Sequence, residues 1–309
     1  MTNWLNSFMQ NLTQIFNLRN RPRELSGESE IRIIGPRRSG KTTFLAALAR
    51  WPNARKDSPI ESVDPFDDNT AILVNQAQDI LENGLQFAGN YAPEDPNHLP
   101  LYTLLITMKS AFFGRSLRFQ ITCKDHPGEI FEDLRSRNLF EGKIDQYLGD
   151  ITNVSGFLIL IDGTSLEDRE YAQALTSLKD ELNIRLVGQG KNLRDIRIAI
   201  AFSKVENAQV WIYRQDIQGF MNRRFFQSTQ ALARWKKEWG CSMNYFFCSA
   251  FGTIGSPPEP NTRAIIIDRG ATCAGIKRPE FWRPLGLVAP IYWLYTGKDD
   301  KRLRKLEDQ

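Results

Sequence analysis

The strongest constraint on how this chain folds lies at residues 31–50, IRIIGPRRSGKTTFLAALAR, where a short apolar run breaks into a glycine-bounded loop and resumes as a helix-forming segment. Within it, GPRRSGKT fits the phosphate-loop pattern GxxxxGK[ST] at every fixed position. Gly35 and Gly40 let the backbone turn tightly and approach a polyphosphate, and the N–H groups at the start of the following helix point at the anion. Arg38, Ser39 and Thr43 complete the loop around that position. Lys41 reaches the β and γ phosphates as a point charge, and the Thr42 hydroxyl takes a place on a Mg²⁺ ion that keeps most of its waters. The pattern requires a strand before it and a helix after it. Ile31, Ile33 and Ile34 supply the first, and the run from Phe44 to Leu48 the second. A glycine-rich turn with a basic helix cap is the competing reading.

At 309 residues the chain is long enough for a large core. Its net charge of +4 makes no case for a nucleic-acid binder, and none is expected. Cys123, Cys241, Cys248 and Cys273 form no CxxC pair, which argues against a zinc site and against a disulfide framework and fits a reducing cytoplasm. No apolar stretch approaches the roughly 18 residues of a spanning helix.

In residues 1–18, Trp4, Leu5, Phe8, Met9, Leu12, Ile15 and Phe16 recur at helical spacing opposite a polar face. Two readings stand: a helix docked on a membrane surface or on a partner, with Arg19, Arg21 and Arg23 near anionic headgroups, or a helix packed on its own domain. Residues 20–29 read as a linker. Residues 58–69, rich in Pro, Asp and Ser, and 84–100, rich in Gly and Pro, read as irregular segments around a helix at 70–82. Strands are expected at 101–108 and 117–124, antiparallel because the turn between them is short. The second delivers Asp125, placed as a second Mg²⁺ ligand at a strand end downstream of the phosphate loop.

A helical segment is expected as far as about 148. The apolar run at 156–161 reads as a central parallel strand ending in Asp162, a turn residue, with Ser165 and Asp168 as a capping box for a helix at 166–186. Strands at 196–202 and 245–248 follow, separated by helical pieces to about 239. A Gly/Pro-interrupted insertion spans 251–290, and a terminal helix starts at 291 with a solvated charged end at 298–309.

In order, GPRRSGKT, DHPG, SKVE and SA resemble the sequential motifs of Ras-like P-loop GTPases. The long insertion before the antiparallel strands, the DxPGE form of the second motif and the Pro/Trp-rich ending further resemble the bacterial double-GTPase group, although a single set of motifs is present. The resemblance implies GTP/GDP and Mg²⁺ as ligands. It implies that Asp125 meets Mg²⁺ through water and that the Gly128 N–H senses the γ-phosphate. Ser203, Lys204 and Glu206 stand for the base-reading [NT]KxD motif, with the lysine stem on the base and the carboxylate accepting from guanine; Ser203 and Glu206 depart from it conservatively. Ala250, after Ser249, matches a position whose N–H faces the guanine oxygen. Glu129 stands where a glutamine commonly orients the attacking water, as a water-positioning base or a brake on turnover, and Arg37 and Arg38 have two readings, one of them lying on the phosphates in cis or both pointing into solvent.

The expected fold is a three-layer α/β sandwich with a mostly parallel sheet, one antiparallel edge strand and nucleotide at the carboxyl ends of the strands. Residues 1–29 form the N-terminal helix and linker, and 30–309 form one P-loop domain with insertions at about 52–100 and 251–290. The implied function is Mg-dependent GTP binding with slow hydrolysis, switching at 84–100 and 125–131, in a cytoplasmic protein peripheral to the inner face of a membrane if its first helix inserts there. A protein effector or activator is the implied partner. The 84–100 loop contains no threonine for Mg²⁺. A small-molecule or nucleotide kinase and a non-hydrolysing nucleotide-bound scaffold are the rival functions.

Overall fold

The computed structural model of the chain describes residues 23–24, 29–50, 60–83, 101–109, 117–125, 129–136, 148, 151, 154–266 and 272–304. The expected N-terminal helix, the 84–100 loop, the turn around Gly114 and Gly128 lie outside the described residues. The strands are β1 (Arg23–Glu24), β2 (Ser29–Ile34), β3 (Ile60–Pro65), β4 (Leu101–Met108), β5 (Leu117–Asp125), β6 (Val154–Asp162), β7 (Arg197–Ser203) and β8 (Ser242–Phe247). They form one sheet in the order β3-β4-β5-β2-β6-β7-β8, with β1 pairing alongside β5. Strands β5, β2, β6, β7 and β8 run parallel, and β4 is antiparallel to both its neighbours. The sheet is therefore mostly parallel with a single reversed strand. That strand lies second from the edge, because β3 forms within the segment read as irregular and covers it.

The layering follows from alternation along the central strands. Ile31 and Ile33 of β2, Leu158 and Leu160 of β6, and Ala199 and Ala201 of β7 face one core with α1 (Lys41–Ala49), α2 (Asp68–Asn83) and α8 (Val288–Thr296). Ile34, Phe157, Ile159, Ile161, Ile198, Ile200 and Phe202 face the other. There they meet α3 (Glu129–Ser136), α4 (Asp168–Gly188), α5 (Ala208–Trp211), α6 (Ile217–Arg224) and α7 (Phe226–Trp239). Burial on both faces is why these strands read as unbroken apolar runs. Each buried Ile, Leu or Phe among them contributes about 1.5–3 kcal/mol.

Three local expectations change. The start of α4 is capped at Glu167 without a side-chain bond, because Asp168 turns away to the start of α7; no Ser165/Asp168 capping box forms. The apolar run at 264–266 lies in an exposed hairpin of β11 (Thr262–Ile266) with β12 (Thr272–Ile276), which follows the short pair β9 (Thr253–Ile254) and β10 (Glu259–Pro260). The charged end is not wholly solvated. In α9 (Lys301–Arg304) Leu303 is buried, and the Arg304 guanidinium lies 4.1 Å from the Phe246 ring centroid and donates to Tyr245 O at 2.7 Å.

Candidate functional site

Five parallel strands bring their carboxyl ends to one edge of the sheet. Register pairs Ile33 with Asp125, Ile34 with Ile159, Asp162 with Ser203 and Phe202 with Phe247. Asp125, Gly35, Asp162, Ser203 and Ser249 therefore share that edge. Chain order departs from β2 in both directions, to β5 on one side and β6 on the other, which opens the crevice where ligands of such sheets bind.

The phosphate loop is shaped by steric necessity. A Cβ on Gly35 would lie 2.4 Å from Leu160 O and 2.8 Å from Ser39 Oγ, so only glycine passes against β6. Arg38 and Gly40 take φ of 66° and 88°, turning the loop through the left-handed region before α1 begins. That helix starts with no side-chain cap and no acidic residue in its first turn, leaving its positive end toward the loop. Lys41 Nζ donates to Gly35 O at 3.0 Å and Pro36 O at 3.2 Å, which holds the ammonium against the loop. Thr42 and Thr43 are half-buried beside it. Arg37 and Arg38 are exposed and bond to no described residue.

The second half of the site is built at the ends of β7 and β8. Ser203 Oγ lies 2.8 Å from Ser39 O and 3.2 Å from Ile161 O, so its proton ties the phosphate loop to the next strand ends. Lys204 adopts φ of 61°, which costs a non-glycine residue about 1–2 kcal/mol. Its ammonium pairs with Asp162 Oδ2, while Asp162 Oδ1 accepts from Thr164 N at 2.9 Å and Thr164 Oγ1 at 2.7 Å. Asp162 is thus a turn residue, as its position suggested, and also the partner of Lys204.

Glu206 is 3% exposed. Burial pushes its carboxyl from an ordinary 4.5 up to about 7, against the opposing hydrogen bond from Ser249 and the charge of Lys204. Ser249 Oγ in turn accepts from Gly252 N at 2.7 Å and Phe251 N at 3.2 Å, so its hydroxyl proton is directed at Glu206. The other carboxylate oxygen, Oε2, is buried without a hydrogen-bond partner. A buried acceptor left open is costly, of order 1–3 kcal/mol, unless a ligand donor completes it.

The wall behind Ser249 and Ala250 comes from a segment read as an insertion. Ser249 and Leu285 exchange two backbone bonds of 2.9 Å, and Trp282 Nε1 donates to Ala250 O at 2.8 Å. Fully buried Asn261 bonds Arg278 through both ends of its amide. A lone tryptophan in a Pro-rich stretch was the only sequence signal for this support.

The edge suits a polyphosphate and a donor-bearing base: a steric cradle at Gly35, an open helix end, a lysine over the loop and an unpartnered buried acceptor at Glu206. Thr42 follows Lys41 at the start of α1, and Asp125 ends β5 in register with Ile33 of β2. Glu129 is the first residue of α3, four residues after Asp125.

No protein-family model and no curated protein matches this chain. Among solved structures it is similar to the signal recognition particle receptor SRb in its GTP complex with SRX from Chaetomium thermophilum, at 14% identity over 74% of this chain and 93% of that one, with a TM-score of 0.36. It is similar to Sup35 complexed with GDP, at 11% identity and a TM-score of 0.32. It is also similar to elongation factor SelB from Methanococcus maripaludis with a GTP analogue, at 14% identity and a TM-score of 0.29. It covers 72% of itself in both cases but only 37% of the Sup35 chain and 30% of the SelB chain.

Proposed function

We propose that the chain is a Mg-dependent GTP-binding switch of the Ras-like class that hydrolyses GTP slowly to GDP and acts through a protein effector or activator. The observation that carries this reading is Glu206: a buried carboxylate, anchored on one side by Ser249 and open at Oε2, on the same sheet edge as the phosphate loop and linked to it through Ser203. Guanine presents two adjacent N–H donors, and a carboxylate with one free oxygen and no donor of its own suits them. Adenine presents an acceptor at the corresponding ring nitrogen, which faces a carboxylate unfavourably.

In this reading Lys41 and the start of α1 hold the phosphates, and Lys204, fixed by Asp162, lays its stem along the base. Thr42 and Asp125 hold Mg²⁺, which offsets charge on the phosphate oxygens. Glu129 orients the attacking water. Membership of the bacterial double-GTPase group, a cytoplasmic location and docking on a membrane or partner through residues 1–18 rest on the sequence features alone. Two measurements test the function: identification of the nucleotide extracted from the purified protein, and phosphate release from GTP and ATP. The reading expects guanine nucleotide and slow release from GTP. Adenine nucleotide with faster ATP turnover would favour the kinase.

A further inference from the structure

A cleft of about 430 Å³ lies among α3, α4 and α7, lined by residues that the nucleotide site does not use. Arg135 stands on α3, Arg169, Gln173 and Thr176 on α4, and Gln230 and Arg234 on α7. Their three- and four-residue spacing places the α4 and α7 groups on one face of each helix. The three arginines are exposed, and none of their guanidinium groups forms an ion pair or hydrogen bond with a described residue. Among the described residues, no acidic side chain lines the cleft. Of the two carboxylates flanking Arg169 in sequence, that of Glu170 is not among the lining residues, and that of Asp168 is already engaged: it accepts from Gln227 N at 2.8 Å, Ser228 N at 2.9 Å and Ser228 Oγ at 2.7 Å, capping α7 and pinning it to α4.

The geometry points to this cleft as the docking surface for an acidic segment of a partner protein. Three cations converging from three helices over a floor of amides and hydroxyls match several carboxylates along one chain, each able to take a bidentate guanidinium. Among the described residues no aromatic side chain lines the cleft to stack a base, which disfavours a nucleic-acid strand as the occupant. The two sides of the cleft differ. The α4–α7 side is fixed by Asp168. The α3 side begins four residues after Asp125, and Phe131 of α3 packs edge-on to Tyr171 at 5.8 Å, whose hydroxyl accepts from Asp162 N at 3.2 Å. Arg135 is thereby carried by the segment that borders the nucleotide, so docking responds to nucleotide state; that clause rests on the GTP reading above.

The test is anisotropy of fluorescein-labelled hexaglutamate with the full-length protein, first without nucleotide and then with Mg·GDP or Mg·GTPγS. Binding is expected, with Arg135→Glu, Arg169→Glu and Arg234→Glu each weakening it about tenfold and 0.5 M NaCl removing most of it. Circular dichroism of each variant confirms that it is folded. Binding insensitive to all three reversals overturns the cleft, and tighter arginine-dependent binding of a labelled hexathymidylate overturns the choice of a protein partner. Arginine-dependent hexaglutamate binding supports the cleft, and a difference of at least about threefold between GDP and GTPγS supports the coupling. Equal affinity in both nucleotide states, with the arginine dependence retained, overturns the coupling through α3. Failure of the protein to bind any guanine nucleotide overturns the function proposed above and leaves the nucleotide-free result to decide the cleft.

Discussion

Replacing Glu206 by glutamine separates the two costs that this buried carboxylate carries. Its carboxyl lies at about 7 in the folded protein and near 4.5 when unfolded. Between those values the folded state binds the extra proton, so the raised group contributes stability that is fully present below pH 4.5 and is lost as pH rises through about 7. The shift corresponds to about 3 kcal/mol across that window. In Glu206→Gln the amide oxygen still accepts from Ser249, and the amide nitrogen leaves a buried donor open at a cost of about 1–3 kcal/mol that does not change with pH. Urea unfolding of the nucleotide-free proteins at pH 5, 7 and 8.5 measures this. Other titrations cancel in the difference, so the parent is expected to lose stability relative to the variant by about 2.5 kcal/mol between the extremes. Parallel profiles would refute the assignment of the pH dependence to Glu206. If guanine binds here as proposed, it takes the ionised form, and GTP binding near pH 7 should release about half a proton. Calorimetry in buffers of different ionisation heat reads that release directly.

Lys41→Ala removes the ammonium held against the loop carbonyls and is expected to abolish triphosphate affinity while the protein stays folded; calorimetric titration with Mg·GTP reports it, and unchanged affinity would end the phosphate-loop assignment. Asp162→Asn frees Lys204, and because the pair is partly exposed the expected loss is about 1 kcal/mol, or about fivefold in GTP affinity. A reduced affinity with unchanged unfolding midpoint would mark Asp162 as a positioning residue, whereas an unchanged affinity would show that Lys204 needs no partner. Glu129→Ala should slow single-turnover GTP hydrolysis and leave GTP affinity within about threefold, if Glu129 orients water; hydrolysis as fast as the parent would remove it from catalysis.

How much of this was legible before the fold depended on whether a residue's role is local. The phosphate loop could be read because its fixed residues fall within eight positions and Gly40 meets a local demand, a φ of 88°, although the steric demand on Gly35 comes from Leu160 of β6; the central strands could be read because burial on both faces leaves an unbroken apolar run. Strand β3 could not. Its sequence, IESVDP, carries two acids and a proline, and its place in the sheet is set by pairing with β4, not by its own propensity. Asp162 read as a turn residue because the lysine it pairs with lies 42 residues on and enters the left-handed region only in the folded loop. The apparent capping box failed for a related reason: Asp168 finds its donors 59 and 60 residues away at the start of α7. Trp282 and Leu285, which brace Ser249 and Ala250, lie in a stretch whose composition suggested only an irregular insertion.

The central claim is that Glu206 reads guanine. It is tested most directly by competition of GTP, ATP and xanthosine triphosphate for a fluorescent GTP analogue on the parent and on Glu206→Gln. Guanine offers two donors to the carboxylate, and xanthine replaces one of them with a carbonyl that an amide can satisfy. The parent is expected to favour GTP over ATP by at least about tenfold, and the variant to lose that preference and favour xanthosine triphosphate over GTP. A parent that binds GTP and ATP equally, or a variant with the parent's base preference, would contradict the account.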